Sequence, residues 1–336
     1  MIGAPDPAGT EQSPPERGHL EGALLRERPA FTSQQVADGA GVTLEEARRL
    51  WRALGFPDSG EAVAFTAADL NALRLVQQAV ATGAVDQETA TRLTRALGNT
   101  MARLADWQVS TLAEYVEGET RRTAGSRLES AVSMAQGVAP VFEELLVYAW
   151  RRHLAAAVAR VETLGAAEED LLTAELTVAF ADLVGFTELS NGIGDDALAE
   201  LVEAFESRCT DVIAAAGGRT IKTLGDSVLF VAESAAAAVG IAVDIVEQIG
   251  SDTTLPDVRI GLATGTVLNR LGDVYGPPVN LASRLTTVAR RNRVITDHVT
   301  AAVLSPEEYD TRALTARPLR GFGVVEPVAV RRRWAV

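Results

Sequence analysis

From about Glu21 to Gly165 the apolar residues recur at helical spacing, with few strand signals. In Thr43-Leu44-Glu45-Glu46 a threonine precedes a glutamate by three residues. That capping box opens a helix carrying Ala47, Leu50, Trp51 and Leu54, which Gly55 and Pro57 stop. Thr66 caps a second helix over Ala67 to Ala81, and amphipathic stretches follow through Leu93, Leu97, Leu104, Trp107, Leu112 and Val116. The run from Val147 to Leu172 reads as a helix that leaves this all-α half and breaks near Gly165.

Beyond it the period changes. LTVAFADLV reads as a strand, a helix follows from about Asp195 to Ala215, and RTIKTLGDSVLFVAE reads as two strands folded back at Gly225-Asp226. A helix over Ala235 to Ile249, a strand VRIGLATG, a Gly-rich loop, a helix from Val279 to Ala289 and a closing strand VEPVAVRRRW complete the chain. The order β-α-β-β-α-β is that of a ferredoxin-like sheet with helices on one face, in which the first two strands are neighbours. The fold class is α+β. The expected organisation is a disordered tail over 1–20, an all-α regulatory domain over 21–150, a connector over 151–173 and an α+β domain over 174–336.

Composition narrows the setting. A chain of 336 residues is long for one core, which agrees with two domains. No apolar run approaches the roughly 20 residues of a membrane helix, and the richest, Ala235 to Val246, is interrupted by Asp244. The first residues carry Pro, Gly and acids where a secretory signal needs a basic start and an apolar stretch. Cys209 is the single cysteine and reads as a buried small hydrophobe in a reducing compartment, so a cytoplasmic location is expected. The net charge of -14 argues against a chain built to grip nucleic acid or an anionic membrane. Every basic residue is arginine except Lys222.

Three places could carry chemistry. Asp182 ends an apolar strand just before a turn that opens a helix, where a carboxylate stands beside free backbone N–H groups; a plain turn residue or cap is the alternative. Asp226 lies at the hairpin fold-back, where the alternative is a simple Gly-Asp turn. If the first two strands pair, both carboxylates meet at one sheet end and could hold two divalent cations against a triphosphate. Asn280 and Arg284 are four apart on a helix and share a face, aimed at a substrate or simply solvated.

The runs FADLVGFT, IKTLGDSVLF and GDVYGPPVNLASRL together resemble the signature segments of class III adenylyl and guanylyl cyclases, over roughly residues 174 to 336. The resemblance implies that Asp182 and Asp226, with Leu183, hold two Mg²⁺ or Mn²⁺ ions. It implies that Lys222 and Asp273 select the base, that Asn280 and Arg284 serve the transition state, and that the backbone of Leu183, Val184, Gly185, Phe186 and Thr187 cradles the β- and γ-phosphates. Arg320 either touches the terminal phosphate or is a solvated turn arginine. Lys222 would donate to adenine N1 and Asp273 accept from the exocyclic amine, a pattern that guanine reverses, so ATP is favoured over GTP. The implied reaction is attack of the ribose 3′-OH on the α-phosphorus with loss of pyrophosphate, giving cyclic AMP. It also implies a homodimer in which one subunit supplies the aspartates and the other the base-reading and transition-state residues.

The segment AFTSQQVADGAGVTLEEARRLWRALGFP resembles the start of MerR-type regulators and the helical regulatory domains that precede some actinobacterial cyclases, whose behaviour includes autoinhibition and pH sensitivity. Arg48, Arg49 and Arg52 cluster as a DNA-reading helix would need, yet the acidic chain favours regulation, with a proton, lipid or other small molecule as effector. His153, in WRRHL, is either a proton-sensitive docking residue or a helix-surface histidine. A catalytically silent nucleotide sensor and a DNA-binding regulator are the competing readings, and the full set of six polar residues favours the enzyme.

Overall fold

The computed structural model describes residues 22, 24–123, 127–163, 173–270 and 272–333. The tail over 1–20 and the break near Gly165 lie outside the described residues. The chain divides into two compact units, Met1–Val158 and Ala159–Val336.

The first unit is helical: α1 (Ser33–Ala40), α2 (Leu44–Leu54), α3 (Ala67–Ala81), α4 (Gln87–Thr123) and most of α5 (Arg127–Thr163). The expected boundaries of α2 and α3 hold because local chemistry writes them. Thr43 and Glu46 exchange reciprocal hydrogen bonds at the start of α2, and Gly55 closes it in the left-handed conformation at φ 85°. Val36, Ala47, Leu50, Trp51, Phe65 and Leu73 form the core, with the Trp51 and Phe65 rings 4.3 Å apart. Gly98 lets α4 cross the end of α2, since a Cβ there would sit 2.5 Å from the Leu54 carbonyl oxygen.

The second unit contains β1 (Thr173–Leu183), α6 (Phe186–Ser190), α7 (Asp195–Ala215), β2 (Arg219–Thr223), β3 (Ser227–Ala232), α8 (Ala235–Gly250) and β4 (Val258–Arg270). It continues with β5 (Asp273–Tyr275), α9 (Pro277–Val288), β6 (Arg293–Thr296), α10 (His298–Ala302), β7 (Tyr309–Ala313), β8 (Arg317–Leu319), β9 (Gly323–Val325) and β10 (Val328–Arg332). The main sheet runs β2-β3-β1-β4-β6-β10-β7, with β5 folded back on β4 and β8-β9 as a separate ribbon.

The expectation that the first two strands pair is corrected. β3 lies between β1 and β2, because SVLFVA is buried along its whole length and takes an interior place, whereas β2 is only half-buried and forms the edge. The helices also do not share one face. Ala179, Ala181 and Leu183 of β1 join Phe205, Ile213, Ile241 and Ile245 of α7 and α8 in one core. The alternate residues Leu176 and Val178 face the other way and pack with Ala282 of α9.

Candidate active site

Asp182 leaves β1 on the same face as Leu176 and Val178, the face that α9 covers. Its cross-strand neighbours are Ser227 on β3 and Arg259 on β4. Arg259 donates to Asp182 Oδ2 through Nε at 2.7 Å, and its Nη2 lies 2.6 Å from the same oxygen. Asp226 arrives from the β2–β3 turn, where Gly225 adopts φ 79° and the Asp226 carbonyl accepts the Leu183 N–H at 2.9 Å. The two aspartates therefore converge where β1 pairs with β3, the strand that Asp226 immediately precedes, rather than through a β1–β2 pairing. Burial pushes the Asp182 carboxyl above its ordinary value; Arg259 opposes the shift and the Asp226 carboxylate adds to it.

That electrostatic demand fits a hard cation. Two carboxylates and main-chain carbonyls are oxygen donors of the kind Mg²⁺ and Mn²⁺ prefer. Among the described residues no cluster of three or more His, Cys, Asp or Glu side chains forms, so a cation here would need further oxygens from a phosphate or water.

Lys222 and Asp273 form a second station. A register shift between Thr220 and Lys222 takes Ile221 out of the β2–β3 pairing and sets Lys222 opposite Leu229. Its ammonium donates to Asp273 Oδ2 at 2.6 Å. Burial works to raise the Asp273 carboxyl, but hydrogen bonds from Lys222 and the Val274 amide outweigh it and hold the group below its ordinary value. Asp273 belongs to β5, a strand that the three residues Asp273–Tyr275 were too short to announce.

Asn280 and Arg284 are exposed on α9, one turn apart, on the side away from buried Ala282, Leu285 and Thr286. Among the described residues neither side chain has an ion-pair or hydrogen-bond partner. The helix beneath them is held close to β4 by glycine. A Cβ on Gly261 would fall against the Thr286 amide and 2.6 Å from the Ala282 carbonyl oxygen, and one on Gly265 would sit 2.9 Å from Pro278.

The turn after β1 has fewer free backbone N–H groups than the sequence suggested. Leu183 N–H is used by Asp226, and Val184 N–H donates to the Asp257 carbonyl at 2.8 Å. The remaining turn, Gly185 to Thr187, opens α6 without a side-chain cap. Arg320 is exposed in the β8–β9 turn, apart from the main sheet. Cys209 is buried with its thiol pushed up to about 12 by burial and by nearby Glu206, and takes no part in the site.

Sequence reading missed Arg259. Its signal was an arginine inside the apolar strand VRIGLATG, two residues before Gly261 and hence on the face that α9 covers.

Comparison with known proteins shows the family. The adenylate and guanylate cyclase catalytic domain family matches residues 171–330. An adenylate cyclase of Streptomyces coelicolor is 40% identical over 359 residues, covering 98% of this chain and 94% of the relative. One of Glutamicibacter nicotianae is 40% identical over 326 residues, covering 92% of this chain and 80% of the relative. A pH-sensitive adenylate cyclase of Mycobacterium tuberculosis is 29% identical over 285 residues, covering 83% of this chain and 71% of that protein. No helix among the described residues is long and apolar enough to cross a membrane. With the aspartates, the lysine–aspartate pair and the α9 stripe all falling inside the matched segment, the chain belongs to the class III adenylyl cyclases.

Proposed function

We propose that this protein converts ATP to 3′,5′-cyclic AMP and pyrophosphate, in active sites completed by a second copy of the chain. The observation that carries the reading is the convergence of Asp182 and Asp226 at one sheet end. The Lys222–Asp273 pair is set to read a purine edge. Two Mg²⁺ or Mn²⁺ ions held by Asp182, Asp226 and the Leu183 carbonyl would acidify the 3′-hydroxyl and offset charge on the phosphates. A cation at Asp182 would release Arg259 towards the phosphate oxygens. Backbone N–H groups from Gly185 to Thr187 would meet the β- and γ-phosphates.

In the reaction the 3′-oxygen forms its bond to the α-phosphorus as the bond from that phosphorus to the bridging oxygen breaks, releasing pyrophosphate and a proton. Arg284 meets charge growing on the transferring phosphoryl group, and Asn280 orients the ribose. Lys222 donates to adenine N1 and Asp273 accepts from the exocyclic amine. Because Asn280 and Arg284 are exposed on the side of α9 away from its buried residues and have no partners among the described residues, a second copy supplies the surface they face.

The helical unit regulates rather than reads DNA. Two of its three clustered arginines lie beside acids, Arg48 with Asp58 at 3.5 Å and Arg49 with Glu45 at 3.9 Å, which blunts a phosphate-binding face. His153, exposed on α5, is a candidate for proton sensing, and a small-molecule or lipid effector is the other route. Arg320, from its exposed turn, is available to a terminal phosphate. The test is incubation of purified protein with ATP or GTP and Mg²⁺ or Mn²⁺. Cyclic AMP and pyrophosphate in equal amounts are expected, with little cyclic GMP; neither product from ATP would end the proposal.

A further inference from the structure

Three consecutive residues, Asp257 and the first two of β4, each hold a different part of the polyphosphate end of the site. The Asp257 carbonyl accepts the Val184 N–H at 2.8 Å, fixing the turn that leaves β1. Val258 pairs in register with Leu183. Arg259 holds Asp182. Whatever fixes residues 257–259 therefore sets the relation between the phosphate turn, the metal-binding aspartate and the guanidinium.

Asn292, in the turn before β6, makes that connection. Its N–H donates to the Val258 carbonyl at 2.6 Å, while its Oδ1 accepts the Val258 N–H at 3.1 Å. Its Nδ2 donates to Asp257 Oδ1. The residue sits in the left-handed region at φ 52°, one of two non-glycine residues with positive φ among those described. Glycine would adopt this backbone more freely, yet it would supply neither side-chain bond. Arg291 reaches the other Asp257 oxygen at 3.4 Å, so the bracket closes on both sides.

We infer that Asn292 is a positioning residue: through Asp257 and Val258 it sets the phosphate turn and Arg259 against Asp182, and so governs affinity for the triphosphate while leaving base choice untouched. The inference rests on the cyclase reading for its ligand, and tripolyphosphate binding tests it apart from turnover.

Asn292→Gly in the full chain keeps the left-handed turn and deletes both side-chain bonds. Calorimetry with tripolyphosphate and Mn²⁺ should show binding weakened about fivefold, with KM for ATP raised by a similar factor, roughly what one supporting hydrogen bond is worth. The ATP-to-GTP preference should stay at the wild-type value. Asn292→Asp keeps the acceptor for Val258 but turns an oxygen towards Asp257, and should move the same quantities in the same direction. As a control, Asp297→Ala removes the cap of α10 at the far end of β6 and should lower the melting temperature without altering tripolyphosphate affinity. The inference is overturned if Asn292→Gly melts earlier yet binds tripolyphosphate and ATP as the wild type does. It is equally overturned if base preference falls together with phosphate affinity, or if the wild type does not bind tripolyphosphate. A wild type that binds tripolyphosphate but makes no cyclic nucleotide defeats the cyclase reading alone.

Discussion

Individual residues divide the labour between charge and shape. Lys222→Met leaves Asp273 Oδ2 without its ammonium donor and adenine N1 unpaired, so the preference for ATP over GTP should fall about tenfold or more, read as the ratio of the two kcat/KM values. The pH behaviour follows from the depressed Asp273 carboxyl. A group held below its ordinary value is ionised throughout the neutral range, and its stabilising contribution is lost only as pH falls through the ordinary aspartate range towards its lower folded value. Nucleotide preference should therefore be flat between about pH 5 and pH 8, where an unperturbed aspartate is already ionised. A ratio that drifted across that window would count against Asp273 as the acceptor. Asp182 and Asp226 could be nominated from the sequence because strand ends and hairpin turns have local signatures. Arg259 has only a weak local signal, an arginine within an apolar strand, and its role shows in the carboxylate it meets, 77 positions earlier.

At the scale of elements, the boundaries that local chemistry encodes were legible and the long-range pairings were not. Helix α7 over Asp195–Ala215, helix α3 over Ala67–Ala81 and the hairpin at Gly225-Asp226 all stand where periodicity, caps and turn residues placed them. The strand VRIGLATG instead continues through Thr266 to Arg270, because its polar end pairs with β5, a partner that alternation within one segment cannot reveal. The order β2-β3-β1 was misjudged for the same reason: adjacency depends on which strand is apolar on both faces. Packing of α9 on β4 gives a sharp test. Gly261→Ala forces a methyl group against the Thr286 amide, so it should destabilise the protein by about 1–3 kcal/mol in urea unfolding. Because α9 carries Arg284, kcat should fall by more than the loss of folded protein explains. A purely proportional loss would mean that α9 is not held in place by this contact.

For the whole molecule, the proposed composite site makes one chain insufficient, with the exposed stripe of Asn280 and Arg284 serving the partner's aspartates. Asp182→Ala and Arg284→Ala should each be nearly inactive alone. Mixed and allowed to exchange, they should regain up to about a quarter of wild-type activity, because only the heterodimer carries one intact composite site. No recovery would place all the groups within one chain. The solitary lysine has a practical consequence at this scale. Apart from the α-amino group, an amine-directed acylating reagent meets a single target in 336 residues, and that target is held 2.6 Å from Asp273. One mass increment on Lys222, slowed by bound ATP and unaffected by tripolyphosphate, would make covalent labelling a direct gauge of whether the purine pocket is filled.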